Sequence, residues 1–228
     1  MKNVKNKYGY FYSVKFIIVG NQSVGKTNII HRFTKGEFQE QYNSTIGMDF
    51  ISHNIDLDNN ALHIQIWDTA GTERYRSITK GYYSNSTCAL IVYDITNNKS
   101  FESSKEWIEE CKSYANQNII LMLIGNKADL IEERAITEEE GKELAKEYGM
   151  EFYECSALNG KNINEIFINA CQKIIENIKN QIYDLEDPSN GVKKCEMEDD
   201  FNIDKTIKTS SNQKLDKNKH LKKKKLKC

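Results

Sequence analysis

Gly20-Asn21-Gln22-Ser23-Val24-Gly25-Lys26-Thr27 follows directly on the apolar run Val14 to Val19 and opens a segment of helical periodicity. The pattern is two glycines five positions apart, then a lysine and a hydroxyl residue. Residue frequencies alone produce it in on the order of one chain in a hundred of this length, and far fewer would set it between a strand and a helix. A turn of this kind lets backbone N–H groups around Gly25 and the helix N-terminus close around phosphate oxygens, an approach that a Cβ on the glycines would obstruct. Lys26 supplies a mobile positive charge for β- and γ-phosphates, and Thr27 offers a hydroxyl to Mg²⁺. The candidate phosphate-side residues are therefore Gln22, Ser23, Val24, Gly25, Lys26, Thr27 and Asn28.

Beyond that turn, β-rich runs alternate with helical patterns. Met48 to Leu57, Leu62 to Trp67, Ala89 to Tyr93, Ile119 to Ile124 and Glu151 to Cys155 read as strands. Phe101 to Ala115 and Thr137 to Tyr148 read as helices, the second opened by the capping box Thr137-Glu138-Glu139-Glu140. Ile163, Ile166, Phe167, Ala170, Ile174 and Ile178 form an apolar stripe on a last helix. The alternation predicts an α/β sandwich with a mostly parallel sheet. Residues 13–183 make the domain, 1–12 an N-terminal extension, and 184–228 a disordered tail in which the only proline, Pro188, stands among Lys, Asp, Asn and Ser.

Composition excludes several classes. No apolar run approaches the roughly 18 residues of a spanning helix, which argues against a transmembrane protein. The six cysteines show no C-x-x-C pair, and the chain opens without an apolar leader, so a disulfide scaffold, a zinc site and secretion are not expected. Cys88, Cys111, Cys155 and Cys171 lie in periodic apolar segments and read as small core residues. His31, His53, His63 and His220 share no ligand spacing.

Asn126-Lys127-Ala128-Asp129 closes the run Ile119 to Ile124. A carboxylate only accepts, so Asp129 matches guanine's ring N–H and exocyclic amine, whereas adenine would leave it facing acceptors in a desolvated pocket. Cys155-Ser156-Ala157 can aim the Ala157 N–H at the guanine oxygen.

From about Ser13 to Ile182 the chain resembles a small GTPase of the Rab family. The resemblance rests on Thr45-Ile46-Gly47-Met48-Asp49-Phe50, Trp67-Asp68-Thr69-Ala70-Gly71, Arg74-Tyr75-Arg76-Ser77-Ile78 and Ile91-Val92-Tyr93-Asp94-Ile95-Thr96, beside the phosphate and base motifs. It implies the P-loop NTPase small-GTPase fold with a six-stranded, mostly parallel sheet flanked by helices. It also implies that Thr27, Thr45 and Asp68 hold Mg²⁺, that Gly71 meets the γ-phosphate, that Phe38 packs on the guanine edge, and that Tyr42 closes over the phosphates. Asn126, Lys127, Asp129, Ser156, Ala157 and Leu158 then surround the base. Lys26, Thr45, Gly71 and Thr72 form the hydrolytic group, and Ile46, Phe50, Trp67 and Tyr82 an effector surface.

Three departures from the family pattern stand out. Thr72 replaces the glutamine that orients the attacking water, which predicts slow intrinsic hydrolysis. Leu158 replaces a lysine that follows Ser-Ala. A single terminal Cys228 behind Lys222, Lys223, Lys224, Lys225 and Lys227 replaces the usual cysteine pair, and no C-a-a-X box is present because Lys225 occupies its cysteine position. One prenyl chain with a polybasic patch is a two-signal anchor. The family reading is a GTP/GDP switch of vesicle and membrane trafficking on the cytoplasmic face of intracellular membranes. Its expected partners are an exchange factor, a TBC-type GTPase-activating protein, a GDP dissociation inhibitor, an escort protein and effectors, with no nucleic acid. A GTP-locked effector scaffold with negligible hydrolysis is the alternative. A P-loop ATPase or nucleotide kinase is disfavoured by Asp129.

Overall fold

The computed structural model describes residues 10–40, 48–57, 60–69 and 81–196. The strands are β1 (Tyr10–Val19), β2 (Met48–Leu57), β3 (Asn60–Thr69), β4 (Cys88–Asp94), β5 (Ile120–Asn126), β6 (Glu151–Glu154) and β7 (Val192–Glu196). The helices are α1 (Lys26–Lys35), α2 (Asn98–Glu102), α3 (Ser104–Tyr114), α4 (Glu138–Tyr148) and α5 (Ile163–Lys179). The sheet runs β2-β3-β1-β4-β5-β6, with β7 pairing β1 off that path. β3, β1, β4, β5 and β6 are parallel, β2 is antiparallel to β3, and β7 is antiparallel to β1.

Strand periodicity builds two cores, one on each face. Val14, Phe16 and Ile18 of β1 and Cys88, Leu90 and Val92 of β4 point to one face, where Ile29 and Ile30 of α1 and Ile166, Phe167, Ala170 and Ile174 of α5 cover them. Ile17, Val19, Ala89, Ile91 and Tyr93 point to the other, beneath Trp107, Ile108 and Cys111 of α3 and Leu144 and Ala145 of α4. Each of the Val, Leu, Ile and Phe side chains among them contributes about 1.5–3 kcal/mol on burial. A doubly covered parallel sheet collects its loops at the C-terminal strand ends, which is where the phosphate and base motifs sit.

The structure differs from the sequence expectation in three places. Among the described residues the sheet has seven strands rather than six. The stretch assigned to the tail carries a 3₁₀ turn at Pro188–Asn190 and then β7, and the compact unit runs to Glu196. β1 begins at Tyr10, inside the stretch assigned to the N-terminal extension. The physical reason joins these findings: β4 pairs β1 only from Phe16 onward, so the backbone of Tyr10 to Val14 needs another partner on that side, and β7 supplies it. The helix expected over Phe101 to Ala115 is α2 and α3. Asn97 starts it early by accepting from the Ser100 N–H (3.1 Å), and hydroxyls of Ser100 and Ser104 take the Asn97 and Ser100 carbonyls at the junction. The capping box at Thr137 forms as expected, with Glu140 N–H donating to Thr137 Oγ1 (3.2 Å) and Thr137 N–H to Glu140 Oε2 (2.8 Å).

Candidate nucleotide-binding site

The phosphate turn leaves β1 at Val19 and enters α1 at Lys26. Ser23 (φ 65°) and Gly25 (φ 94°) both take the left-handed conformation. A Cβ on Gly25 would lie 2.4 Å from Asn126 Nδ2, so the position admits only glycine for steric as well as conformational reasons. Gly25 is also the N-cap of α1 and brings no side-chain cap, which leaves the helix N-terminal N–H groups to the turn. Val24 anchors the turn in the core, whereas Gln22 and Ser23 are exposed.

Lys26 is buried, and its Nζ donates to the carbonyls of Gly20 and Asn21, each at 2.8 Å. Burial pulls its ammonium down to about 8, opposed by the nearby Asp68 carboxylate. Thr27 Oγ1 donates to Asp68 Oδ2, which joins the start of α1 to the end of β3. Asn28 pairs with the Gln39 backbone in both directions (3.2 and 3.3 Å) and so ties α1 to the root of segment 41–47. Phe38 is half-buried against the α1/α5 core.

The base side is built on Asn126, the last residue of β5. Its Nδ2 donates to the Val24 carbonyl (2.8 Å), and its Oδ1 accepts from the Ala157 N–H (3.2 Å). One buried amide therefore links the phosphate turn to the loop after β6. Asp129 Oδ1 accepts from Ser156 Oγ, and the Lys127 ammonium pairs with Asp94 at 2.5 Å. Leu158 is 48% exposed. Val24, Asn126, Asp129, Ser156 and Ala157, far apart in sequence, thus meet at one end of the sheet. The Ala157 N–H, read from the sequence as aimed at a base, donates here to Asn126.

A second grouping lies on β2, β3 and the helical residues 81–83 before β4. Phe50 and Trp67 stand edge to face with centroids 5.6 Å apart, and Trp67 and Tyr82 follow at 5.7 Å. Phe50 is 47% exposed. Lys15 Nζ lies 4.5 Å from the Trp67 ring centroid. Tyr42, Thr45, Ile46, Gly71, Thr72 and Cys228 lie outside the described residues. Sequence reasoning missed Asp94, signalled only as an acid closing an apolar strand, and Arg32, whose fork reaches a carbonyl 125 residues away and leaves no local mark.

A family model described as Ras family matches residues 15–176, more than two thirds of the chain. The chain belongs to the Ras family, and is thereby a small GTPase of the general guanine-nucleotide switch type. Members of that family bind guanine nucleotide and Mg²⁺. The donor set fits such an ion: Thr27 and Asp68 present hard oxygens side by side, both buried, at the mouth of the phosphate turn.

Proposed function

We propose that this chain is a Rab-type GTP/GDP switch that hydrolyses GTP slowly and recruits effectors in membrane trafficking. The observation that carries the reading is the Asn126 bridge. It joins the glycine-rich turn to the loop after β6, whose Ser156 in turn bonds Asp129, an arrangement suited to a ligand with phosphate at one end and guanine at the other. Lys26 holds its charge where β- and γ-phosphates would lie, and Asp129 accepts from the base. Thr27, Asp68 and Thr45 would hold Mg²⁺, which supplies neutralisation of the phosphate charge. Gly71 would donate to the γ-phosphate, and Thr72 would face the attacking water. Loss of the γ-phosphate releases the segments around Thr45 and Gly71, and effectors that read them let go.

The Phe50, Trp67 and Tyr82 cluster supports the Rab reading, because a half-exposed aromatic group on the sheet is a surface for a partner. Cys228 as prenyl site with Lys222 to Lys225 as polybasic patch completes a protein that cycles between cytosol and the cytoplasmic face of an endomembrane. Exchange factor, TBC-type activating protein, GDP dissociation inhibitor and escort protein serve that cycle.

Single-turnover GTP hydrolysis tests the reading. Wild-type protein should cleave GTP at a rate below the order of 10⁻⁴ per second alone and be accelerated on the order of 10³ to 10⁵ by a matched TBC activating protein. Thr72→Gln should raise the intrinsic rate and leave GTP affinity unchanged. Wild-type protein that stays uncleaved under saturating activator while Thr72→Gln responds would make it a locked scaffold instead.

A further inference from the structure

Arg32 sits in the last turn of α1 and spends its guanidinium on three backbone carbonyls. Nε donates to Ala157 O (2.8 Å), Nη2 to Leu158 O, and Nη1 to Gly36 O (2.8 Å). The Arg32 carbonyl in turn accepts the Gly36 N–H (3.1 Å), closing the helix on a left-handed glycine. The planar fork therefore fastens two separate segments to one helix end: the loop after β6, and the root of the segment that runs through Phe38 and Gln39 to residue 41.

The loop after β6 needs such a fastening. Its inner side is fixed by Ser156 on Asp129 and by the Ala157 N–H on Asn126. On its outer side Leu158 is half-exposed and packs into neither core, so side-chain burial does not hold it. The Arg32 fork holds the carbonyls of residues 157 and 158 on that side.

We propose that Arg32 is a positioning residue for guanine recognition, which rests on the guanine reading above. It holds the 157–158 backbone in register with Asp129, and it couples that register to Gly36, so that a partner displacing the Gly36–Gln39 segment loosens the grip on the base. Arg32 does not touch the nucleotide. Its effect is on the residence time of any ligand held against the 157–158 backbone, while discrimination by the exocyclic amine stays with Asp129.

The test uses the full chain with Arg32→Met, which keeps the apolar stem and removes every donor, and Arg32→Lys, which restores the charge on a single donor nitrogen without the planar fork. Dissociation of GDP and IDP is followed by displacement, together with hydrogen exchange of the amides at 156–160. Arg32→Met should speed dissociation of both nucleotides about tenfold by the same factor, since each presents the same ring oxygen and only the amine differs. Amides at 157–160 should exchange faster, with those of β5 and α5 unchanged, and Arg32→Lys should fall between. Unchanged dissociation and unchanged exchange in Arg32→Met would overturn the proposal, and so would an altered GDP-to-IDP ratio. Should Arg32→Met fail to fold, Arg32→Lys decides by the same two measurements. Wild-type protein that retained neither GDP nor IDP would sink the guanine reading instead, and the exchange at 157–160 would then judge Arg32 alone.

Discussion

Lys15 is a cation set against an aromatic cluster, and titration of its ammonium would make the cluster sensitive to pH. Its Nζ donates to the carbonyls of Tyr82 (2.7 Å) and Ser84 (2.8 Å) and lies over the Trp67 ring. Even with those partners, burial lowers the ammonium from 10.5 to about 8. The sign follows from which state binds more protons. Between about 8 and 10.5 the unfolded chain keeps the lysine charged while the folded chain has released the proton, so stability rises with pH across that window. The charged form thus costs stability below about 8, and the cost fades above it. Loss of the charge also removes the cation–π contact with Trp67. Indole fluorescence should follow a titration with its midpoint near about 8 in wild-type protein, and Lys15→Met should lack it. Superimposable pH curves for the two would mean that Lys15 titrates elsewhere. Residues differ in how far they could be read in advance. Lys26, Thr27 and Asp129 could be singled out as candidates in advance because each stands in a short motif of consecutive positions. Lys15 and Arg32 act on carbonyls 67 and 125 residues away, and such pairings exist only after folding.

At the scale of elements, the sheet and helices were legible wherever a period ran long enough, as in the α5 stripe and the Thr137 capping box. β7 was not. Val192-Lys193-Lys194-Cys195-Glu196 offers no alternation of apolar residues, and its strand character comes from the open side of β1 rather than from its own sequence. The one local trace is Asn190-Gly191. Gly191 has φ 70°, and a Cβ there would fall 2.0 Å from the Asn85 carbonyl oxygen, while its own carbonyl accepts from Thr87 Oγ1 (2.9 Å). Gly36 provides a matched control, with φ 72° and nothing within 4 Å of its ideal Cβ. Gly36→Ala should cost about 1 kcal/mol, the strain of a left-handed alanine alone. Gly191→Ala adds a collision with backbone and should cost about 2–4 kcal/mol, a fall of roughly 5–15 °C in Tm for a domain of this size. Thermal denaturation of the pair checks it. Equal losses would show that the close approach at Asn85 does not hold the strap in place.

For the whole molecule the consequence of β7 is where the chain leaves the compact unit. Glu196 pairs opposite Tyr10, at the start of β1, while Val19 at the other end leads into the phosphate turn. Ten residues of strand separate the two, about 30 Å at roughly 3.3 Å per residue. The compact unit therefore ends at Glu196, at the opposite end of β1 from the phosphate turn. If the proposed prenyl anchor forms, its load would enter the compact unit at Glu196, and β7 would have to stay paired with β1 to bear it. Prenylated wild-type protein should float with liposomes containing phosphatidylserine, and Cys228→Ser should remain in the soluble fraction. Replacing Lys222 to Lys225 by Gln should weaken flotation at about 1 kcal/mol per lysine near an anionic leaflet while leaving the prenyl mass in place. GDP dissociation should be the same for the anchored protein, for Cys228→Ser and for the Gln variant, because none of these changes reaches Lys26, Asn126 or Arg32. An intact mass without a prenyl group at Cys228 would remove the anchor and leave Cys195, on β7 itself, as the next thiol to consider. GDP release that changed on membrane attachment would instead mean that load on the tail passes through β7 and β1 to the phosphate turn.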